Sequence, residues 1–484
     1  MSDGSDHPRE ACGVFGVYGP GEDVARLTFY GLYSLQHRGQ ESAGIATSDG
    51  ETIRLSTGMG LVAQAFDEED LAQLTGHLAI GHTRYSTAGG SFARNAQPIV
   101  VKDGETGAEI AVAHNGNLVN ADTLRDDLTA LGVALKGTAD TELIAHLLAL
   151  APAGDWEKRF HYLMRRIRGA YSLTILTQDT LFAVRDPLGV RPLCLGRLGD
   201  GWVVASESCA LEHLGATIER EVEPGEVIQI DETGLRSFFP MGHAERTADC
   251  TLEYVYFARP DSHLSGELIY LARERMGEEL AREHPAPPSA DLVIGVPDSG
   301  IAAAIGFARE GGLAYRDGIV KNRYVGRTFI QPDQRIREAG VALKLNAMRE
   351  VLEGRRVVVV DDTIVRGTTK PHVVDLLRRA GAAEVHVRIA SPPIISPCYL
   401  GVDMATRAEL LAANKTVPEI QEHIGADSLG YLSVAGLVRA TRRPEEALCN
   451  ACFTGRYPID VQDQLPLMAP RRERELTAPI ATSN

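Results

Sequence analysis

The chain has 484 residues, 44% of them hydrophobic and 24% charged, with a formal net charge of −16. That length calls for two or three domains with separate cores, the negative balance disfavours nucleic acid as a partner, and no apolar run approaches the roughly 18 residues of a membrane span. Residues 1–11 lack the basic start and apolar stretch of a secretion signal, which points to the cytoplasm, where seven cysteines suit metal binding or catalysis better than a disulfide framework.

A polar leader, residues 1–11, precedes Cys12-Gly13-Val14-Phe15-Gly16-Val17-Tyr18, whose alternation and aromatics predict a strand beginning at the cysteine. A lone cysteine there is ordinarily a small buried hydrophobe. Three later stretches each end a strand-like run with glycine beside a donor side chain: Leu35 to Gly44, Gly81 to Gly89, and His114-Asn115-Gly116-Asn117-Leu118. Taken singly each is a turn, and Asn115-Gly116 reads equally as a hairpin. Together with Cys12 they resemble the glutamine amidotransferases whose nucleophile is an N-terminal cysteine, which implies two antiparallel sheets between layers of helices, an αββα sandwich. The resemblance implies that Cys12 attacks the glutamine carboxamide and that Asn115 and the Gly116 N–H form the oxyanion hole. It further implies that Arg84 grips the α-carboxylate, Asp140 takes the α-amino group and Arg38 orders the pocket. Asp140 also reads as an N-cap before an apolar helix. A thiol near pKa 8.5 needs a base, and a chain beginning at the cysteine supplies its own α-amine. Residues 1–11 are therefore expected to be a propeptide removed at Ala11–Cys12.

Short strands follow from Tyr171 to Ile230, with Arg185 to Pro192 among them, and complete the first domain, 12–240. Cys194 and Cys209 sit in apolar surroundings and read as packing. A polar, glycine-containing stretch, 231–248, marks the boundary to a second domain, 241–458. Beyond an amphipathic helix near Glu267 to Glu283, ended by His284-Pro285-Ala286-Pro287-Pro288, come two strand–loop–helix units. The first is Asp291 to Gly300. The second joins Val357-Val358-Val359-Val360, an unbroken β-branched run that predicts a strand buried on both faces of a parallel sheet, to Asp361-Asp362-Thr363 and Arg366-Gly367-Thr368-Thr369. The unpaired N–H groups of such a loop, with the helix dipole behind them, suit phosphate, while the two acids suit ribose hydroxyls or a metal ion. The plainer reading is a strand-to-helix turn with N-cap acids. The second loop resembles that of the type I phosphoribosyltransferases, which bind phosphoribosyl pyrophosphate (PRPP), and implies that Ser299, Asp361 and Asp362 share a magnesium ion and that Thr363, Gly367, Thr368 and Thr369 hold the phosphate. Between the loops, Lys321, Arg323, Arg327, Arg335, Arg337 and Lys344 place six cations within 24 positions. A solvated basic face is one reading, and a mobile lid that closes over PRPP is the other.

Cys449-Asn450-Ala451-Cys452 has the two-residue gap that lets both thiolates reach one metal, and Cys250 and Cys398 stand available from distant parts of the chain. Spacing leaves a redox disulfide, a zinc tetrathiolate and a [4Fe-4S] cluster open. These cysteines, like the whole order of motifs from Cys12 to Pro458, are similar to the cluster-containing branch of the amidophosphoribosyltransferases. The resemblance implies a structural iron–sulfur cluster on Cys250, Cys398, Cys449 and Cys452, ammonia passed from glutamine to PRPP inside one polypeptide, feedback by purine nucleotides and a homotetramer. A PRPP-sensing regulator would need neither Cys12 nor a glutamine pocket; a glucosamine-forming amidotransferase would lack Asp361-Asp362. Residues 459–484 form a charged, then polar tail that reads as partly disordered.

Overall fold

A computed structural model describes residues 12–85, 92–152, 154–322, 345–402, 404 and 406–461. The leader, Arg323, Arg327, Arg335, Arg337, Lys344 and the tail from 462 onward, for which cleavage, a lid and disorder are expected, lie outside the described residues.

The strand Gly13–Tyr18 lies between Gly201–Ala205 and Leu78–Arg84 in a seven-stranded antiparallel sheet. Its side chains explain its place. Val14 joins a core shared with Ala111, Ala113, Leu176 and Leu181 of a second, six-stranded antiparallel sheet, while Phe15 and Val17 pack with Val24, Ala25 and Leu32 of the helix Val24–Ser34. The outer face of the second sheet is covered in the same way by the helices Asp140–Ala149 and Trp156–Arg166, through Leu143, Leu147, Phe160 and Leu163. Each such side chain, fully buried, contributes about 1.5–3 kcal/mol, and the result is the αββα sandwich that the motifs imply.

The second domain is a five-stranded parallel sheet with Arg356–Asp361 at its centre, between Leu292–Gly295 and Glu384–Ile389. Val358 and Val360 face Ala303 and Phe307 of the helix Ile301–Gly311, whereas Val357 and Val359 face Val373 and Leu377 of the helix Lys370–Arg379. Burial on both faces is why the run carries no polar residue. The amphipathic helix runs Ile269–Glu283, beginning two residues later than predicted because Glu267–Leu268 pairs with His263–Leu264. Asp249–Cys250 pairs in parallel with Leu448–Cys449, so the two ends of the second domain meet. Among the described residues no helix is long and apolar enough to cross a membrane.

Candidate active site

Cys12 heads its strand, buried, with Sγ donating to the carbonyl of Tyr85 at 3.3 Å. Burial pushes the thiol pKa up, and the positive charge of Arg84 opposes the shift without cancelling it. The neighbouring imidazole, His82, is held neutral by burial, its pKa near 3, and its Nε2 faces the carbonyl of His114 at 3.1 Å.

Asn115 and Gly116 do not form a hairpin. They lie inside the strand Glu109–Leu118, opposite Ser172 and Tyr171. The Asn115 amide donates to Ser206 Oγ at 3.3 Å, and its buried Oδ1 has no hydrogen-bond partner among the described residues. Arg84 ends its own strand with Nη1 3.6 Å from Glu41 Oε2. Asp140 is the first residue of its helix, after Ala139 at the N-cap, and the Thr141 N–H of its own first turn reaches its carboxylate. The same carboxylate accepts from the Leu118 N–H at 3.0 Å and lies 3.4 Å from His114 Nδ1, binding the helix to the end of the Asn115 strand. Burial pushes this carboxyl up, but His114 and the N–H groups of Leu118 and Thr141 outweigh it and leave the pKa lowered.

Arg38 is fully committed behind Cys12. Its Nε donates to the Cys12 carbonyl at 3.1 Å, and its fork reaches Glu207 and, at 2.7 and 3.0 Å, Glu253. Arg191 closes the network on Glu253 at 2.8 Å. Every nitrogen of the Arg38 guanidinium thus has an acceptor in the protein, and the side chain ties the Cys12 backbone to two buried carboxylates. Glu207 and Glu253 escaped the sequence reading because their partner Arg38 lies 169 and 215 positions away, while Arg191 lies in the Arg185 to Pro192 stretch without a role assigned to it.

In the second domain the two loops meet where Ser299 Oγ donates to Asp362. Gly300 permits this approach, since a Cβ there would sit 2.7 Å from the Val360 carbonyl oxygen. Asp361 accepts the Asp362 N–H at 2.8 Å, and Asp362 accepts the Thr363 hydroxyl at 2.7 Å. Gly367 adopts φ +71, and Thr369 stands at the N-cap of the following helix, with Thr368 before it. A polar loop therefore opens onto a helix N-terminus with hard oxygen donors beside it, a chemistry that suits an anion and a magnesium ion. Lys370, absent from the predicted site, is buried and pairs with Asp361. A lysine directly after a phosphate loop was the available signal. Lys321, counted among the lid cations, instead pairs with Asp298 at 2.8 Å on an exposed rim. Its partners in that run, Arg323, Arg335 and Lys344, are outside the described residues.

Cys250, Cys398, Cys449 and Cys452 come together: Cys250 is the register partner of Cys449, and Cys452 feels the charge of the other three. Backbone N–H groups point at the sulfurs, Leu252 at Cys250, Ala451 at Cys449, and Leu400 and Val402 at Cys398. Burial pushes Cys250 up to about 12. All seven cysteines are free of disulfides, and Cys194 and Cys209 are buried as packing. Among the described residues no group of three or more His, Cys, Asp or Glu side chains is set to hold a single metal ion.

Sheltered thiol chemistry in one domain and anion-cradling loops in the other describe a bifunctional class, an amidotransferase built onto a phosphoribosyltransferase. Comparison with known proteins agrees. Residues 82–213 match the family described as the glutamine amidotransferase domain, and 265–391 the phosphoribosyl transferase domain. The chain is 50% identical over 466 residues to the amidophosphoribosyltransferase of Synechococcus elongatus, covering 95% of this chain and 94% of that one. It is 52% identical over 455 residues to that of Archaeoglobus fulgidus, covering 93% and 98%. The solved glutamine PRPP amidotransferase of Bacillus subtilis, complexed with ADP and GMP, superposes with a TM-score of 0.87 at 46% identity over 93% of this chain and 98% of that one. The chain belongs to the amidophosphoribosyltransferases, glutamine-dependent enzymes that catalyse the first step of purine biosynthesis.

Proposed function

We propose that Cys12 hydrolyses glutamine through a thioester, after loss of residues 1–11, and that the ammonia released displaces pyrophosphate from PRPP at the Asp361–Thr369 loop. The supporting observation is that Cys12 is buried with no basic side chain hydrogen-bonded to Sγ among the described residues; the α-amine exposed by cleavage is then the nearest base. As the thiolate attacks, Asn115 and the Gly116 N–H receive the oxyanion, which forms where no solvent competes. Arg84 holds the substrate carboxylate with its planar fork, Asp140 its ammonium group, and Arg38 fixes the Cys12 carbonyl from behind. At the second site, Asp361 and Asp362 orient the ribose hydroxyls, and Thr363, Gly367, Thr368 and Thr369 present donors to the 5-phosphate. Magnesium, held through Ser299, Asp361 and Asp362, would neutralise the pyrophosphate leaving group.

The cysteine quartet fits a [4Fe-4S] cluster. What supports this reading is the proximity of the four thiols, the N–H donors supplied to Cys250, Cys398 and Cys449, and the likeness of their spacing to the cluster-containing branch of the family. Its role is to tie the two ends of the second domain. Purine nucleotides, like the ADP and GMP bound by the Bacillus subtilis neighbour, are proposed as inhibitors, and a tetramer as the assembly.

The test mixes glutamine, PRPP and magnesium with anaerobically purified protein. Pyrophosphate appears with one glutamate per product; Cys12→Ala abolishes the glutamine-dependent reaction and keeps the ammonia-dependent one. Active protein that retains Met1, or a colourless and fully active zinc form, overturns the corresponding part.

A further inference from the structure

Gly116 is crowded from two sides. A Cβ on it would meet the Ala170 carbonyl oxygen at 2.0 Å, within its own domain. From the other domain comes Gly401, at φ +100, so close that a Cβ added there would stand 2.8 Å from Gly116 Cα and 2.9 Å from its carbonyl carbon. One residue along, Asn117 Nδ2 donates to the Tyr399 carbonyl at 3.0 Å. The segment that makes both contacts is itself pinned. The Leu400 N–H reaches Cys398 Sγ at 3.3 Å, the Tyr457 hydroxyl donates to the Pro397 carbonyl at 2.6 Å, and the rings of Tyr399 and Tyr457 lie 5.3 Å apart.

An oxyanion donor works because it is aimed before the charge develops. Gly116, at φ +151 and without a side chain, is held through its backbone alone, by the strand pairing with Tyr171 on one side and the approach of Gly401 on the other. Its orientation is set by what touches it.

We propose that the Cys398–Gly401 segment of the phosphoribosyltransferase domain is a brace that fixes the Gly116 N–H, which makes Gly401 and Tyr399 positioning residues for glutamine hydrolysis. The inference rests on the reading of Gly116 as an oxyanion donor and extends it across the domain boundary. The brace touches the strand behind the donor and not the substrate, so it governs the rate of the thioester step and leaves glutamine affinity alone.

The experiment compares Gly401→Ala and Asn117→Ala with the parent, on full-length holoprotein, in glutamine hydrolysis and in ammonia-dependent product formation. Gly401→Ala lowers kcat for glutamine by on the order of 10–100-fold, short of the roughly 10²–10³-fold cost of deleting a donor outright. KM for glutamine and the ammonia-dependent rate stay within about 2-fold, because uniform binding is untouched. Asn117→Ala, which adds no atom and removes one hydrogen bond, lowers the same kcat by roughly 5-fold and decides the matter if Gly401→Ala does not fold. Equal loss of both activities, a change in KM alone, or no change in kcat overturns the brace. A parent protein without glutaminase activity overturns the reading of the site itself, and the brace with it.

Discussion

The two domains arrive at a working site by opposite routes. In the phosphoribosyltransferase domain most of the candidate groups are contiguous: a buried strand ends, and Asp361, Asp362, Thr363 and Gly367 follow in one loop, with Ser299 brought to Asp362 from a second. In the amidotransferase domain they are scattered, Cys12, Arg38, Arg84, Asn115, Asp140 and Glu207 arriving on different strands, helices and loops. A parallel sheet delivers every strand's C-terminal end to one edge, so one loop can build most of a phosphate site. An antiparallel sandwich has no such edge, and its site is held by long-range polar contacts in the interior. Contiguous sites tolerate damage to the surrounding fold; scattered ones share its fate.

Glu253→Gln breaks that comparison hardest. It leaves Arg38 and Arg191, both essentially without exposure, facing a neutral partner, and loss of one member of a buried ionic network costs about 3–5 kcal/mol. Chemical denaturation is expected to show that loss, together with weaker glutaminase, because Arg38 also holds the Cys12 carbonyl. Full retention of both would show the network to be incidental.

Asp361→Asn is next. Lys370, buried, then loses its ion pair with Asp361, at a cost of about 3 kcal/mol, whereas Asp361→Leu with Lys370→Met, which removes both charges, recovers most of it. Both variants lose PRPP-dependent turnover, so stability and function separate in this domain. A double variant no more stable than the single one would show that the pair's worth lies in its geometry and not in charge compensation.

Acidification sharpens the contrast further. Burial pushes the Glu207 and Glu253 carboxyls up, but His37 and Arg38 at Glu207, and Arg38 and Arg191 at Glu253, outweigh it and hold both below their ordinary values. A depressed carboxyl adds stability that is complete above its unfolded pKa, about 4.3, and lost as pH falls towards the folded value. Asp186 runs the other way: burial raises it to about 6, so the folded state gains stability as pH falls from about 6 towards 4. His82, neutral by burial with a folded pKa near 3, opposes that gain by costing stability as pH falls below about 6.5; the melting temperature should therefore hold nearly level down to about pH 4 and fall steeply below it, and Glu253→Gln should flatten the fall.

How much was legible in the sequence follows from the same contrast. The central strand and its loop could be read directly, because four β-branched residues, two acids and a Thr/Gly run lie within 13 consecutive positions. The sandwich could be read only through the resemblance of separated motifs. Asn115-Gly116 shows why: as a dipeptide it signals a turn, and only pairing with Ser172 and Tyr171 reveals a strand interior. Asp140 is similar, since an acid before an apolar helix signals a cap, while the folded chain also spends it on Leu118 and His114. Lys370 was missed because a lysine next to a phosphate loop reads as a phosphate ligand or a solvated charge, and its burial against Asp361 is settled by packing.

The smallest expected effect lies at the rim of the PRPP loops. Lys321 pairs with Asp298, but both side chains are about half exposed, so water and salt screen the pair and its contribution to stability is at most about 0.5 kcal/mol. Lys321→Ala should therefore leave the denaturation midpoint almost unchanged. Its effect on PRPP is separate. A lysine tethered by Asp298 beside Ser299 is an anion-attracting charge at the entrance, and its removal should raise KM for PRPP a few-fold, more at low ionic strength than at high, with kcat unchanged. Asp298→Asn acts in the opposite sense, because it frees the cation and removes a repelling carboxylate, and should lower KM. If both substitutions raise KM alike, the pair shapes the loop instead of tuning its charge, and the rim is then as dependent on intact geometry as the interior of the other domain.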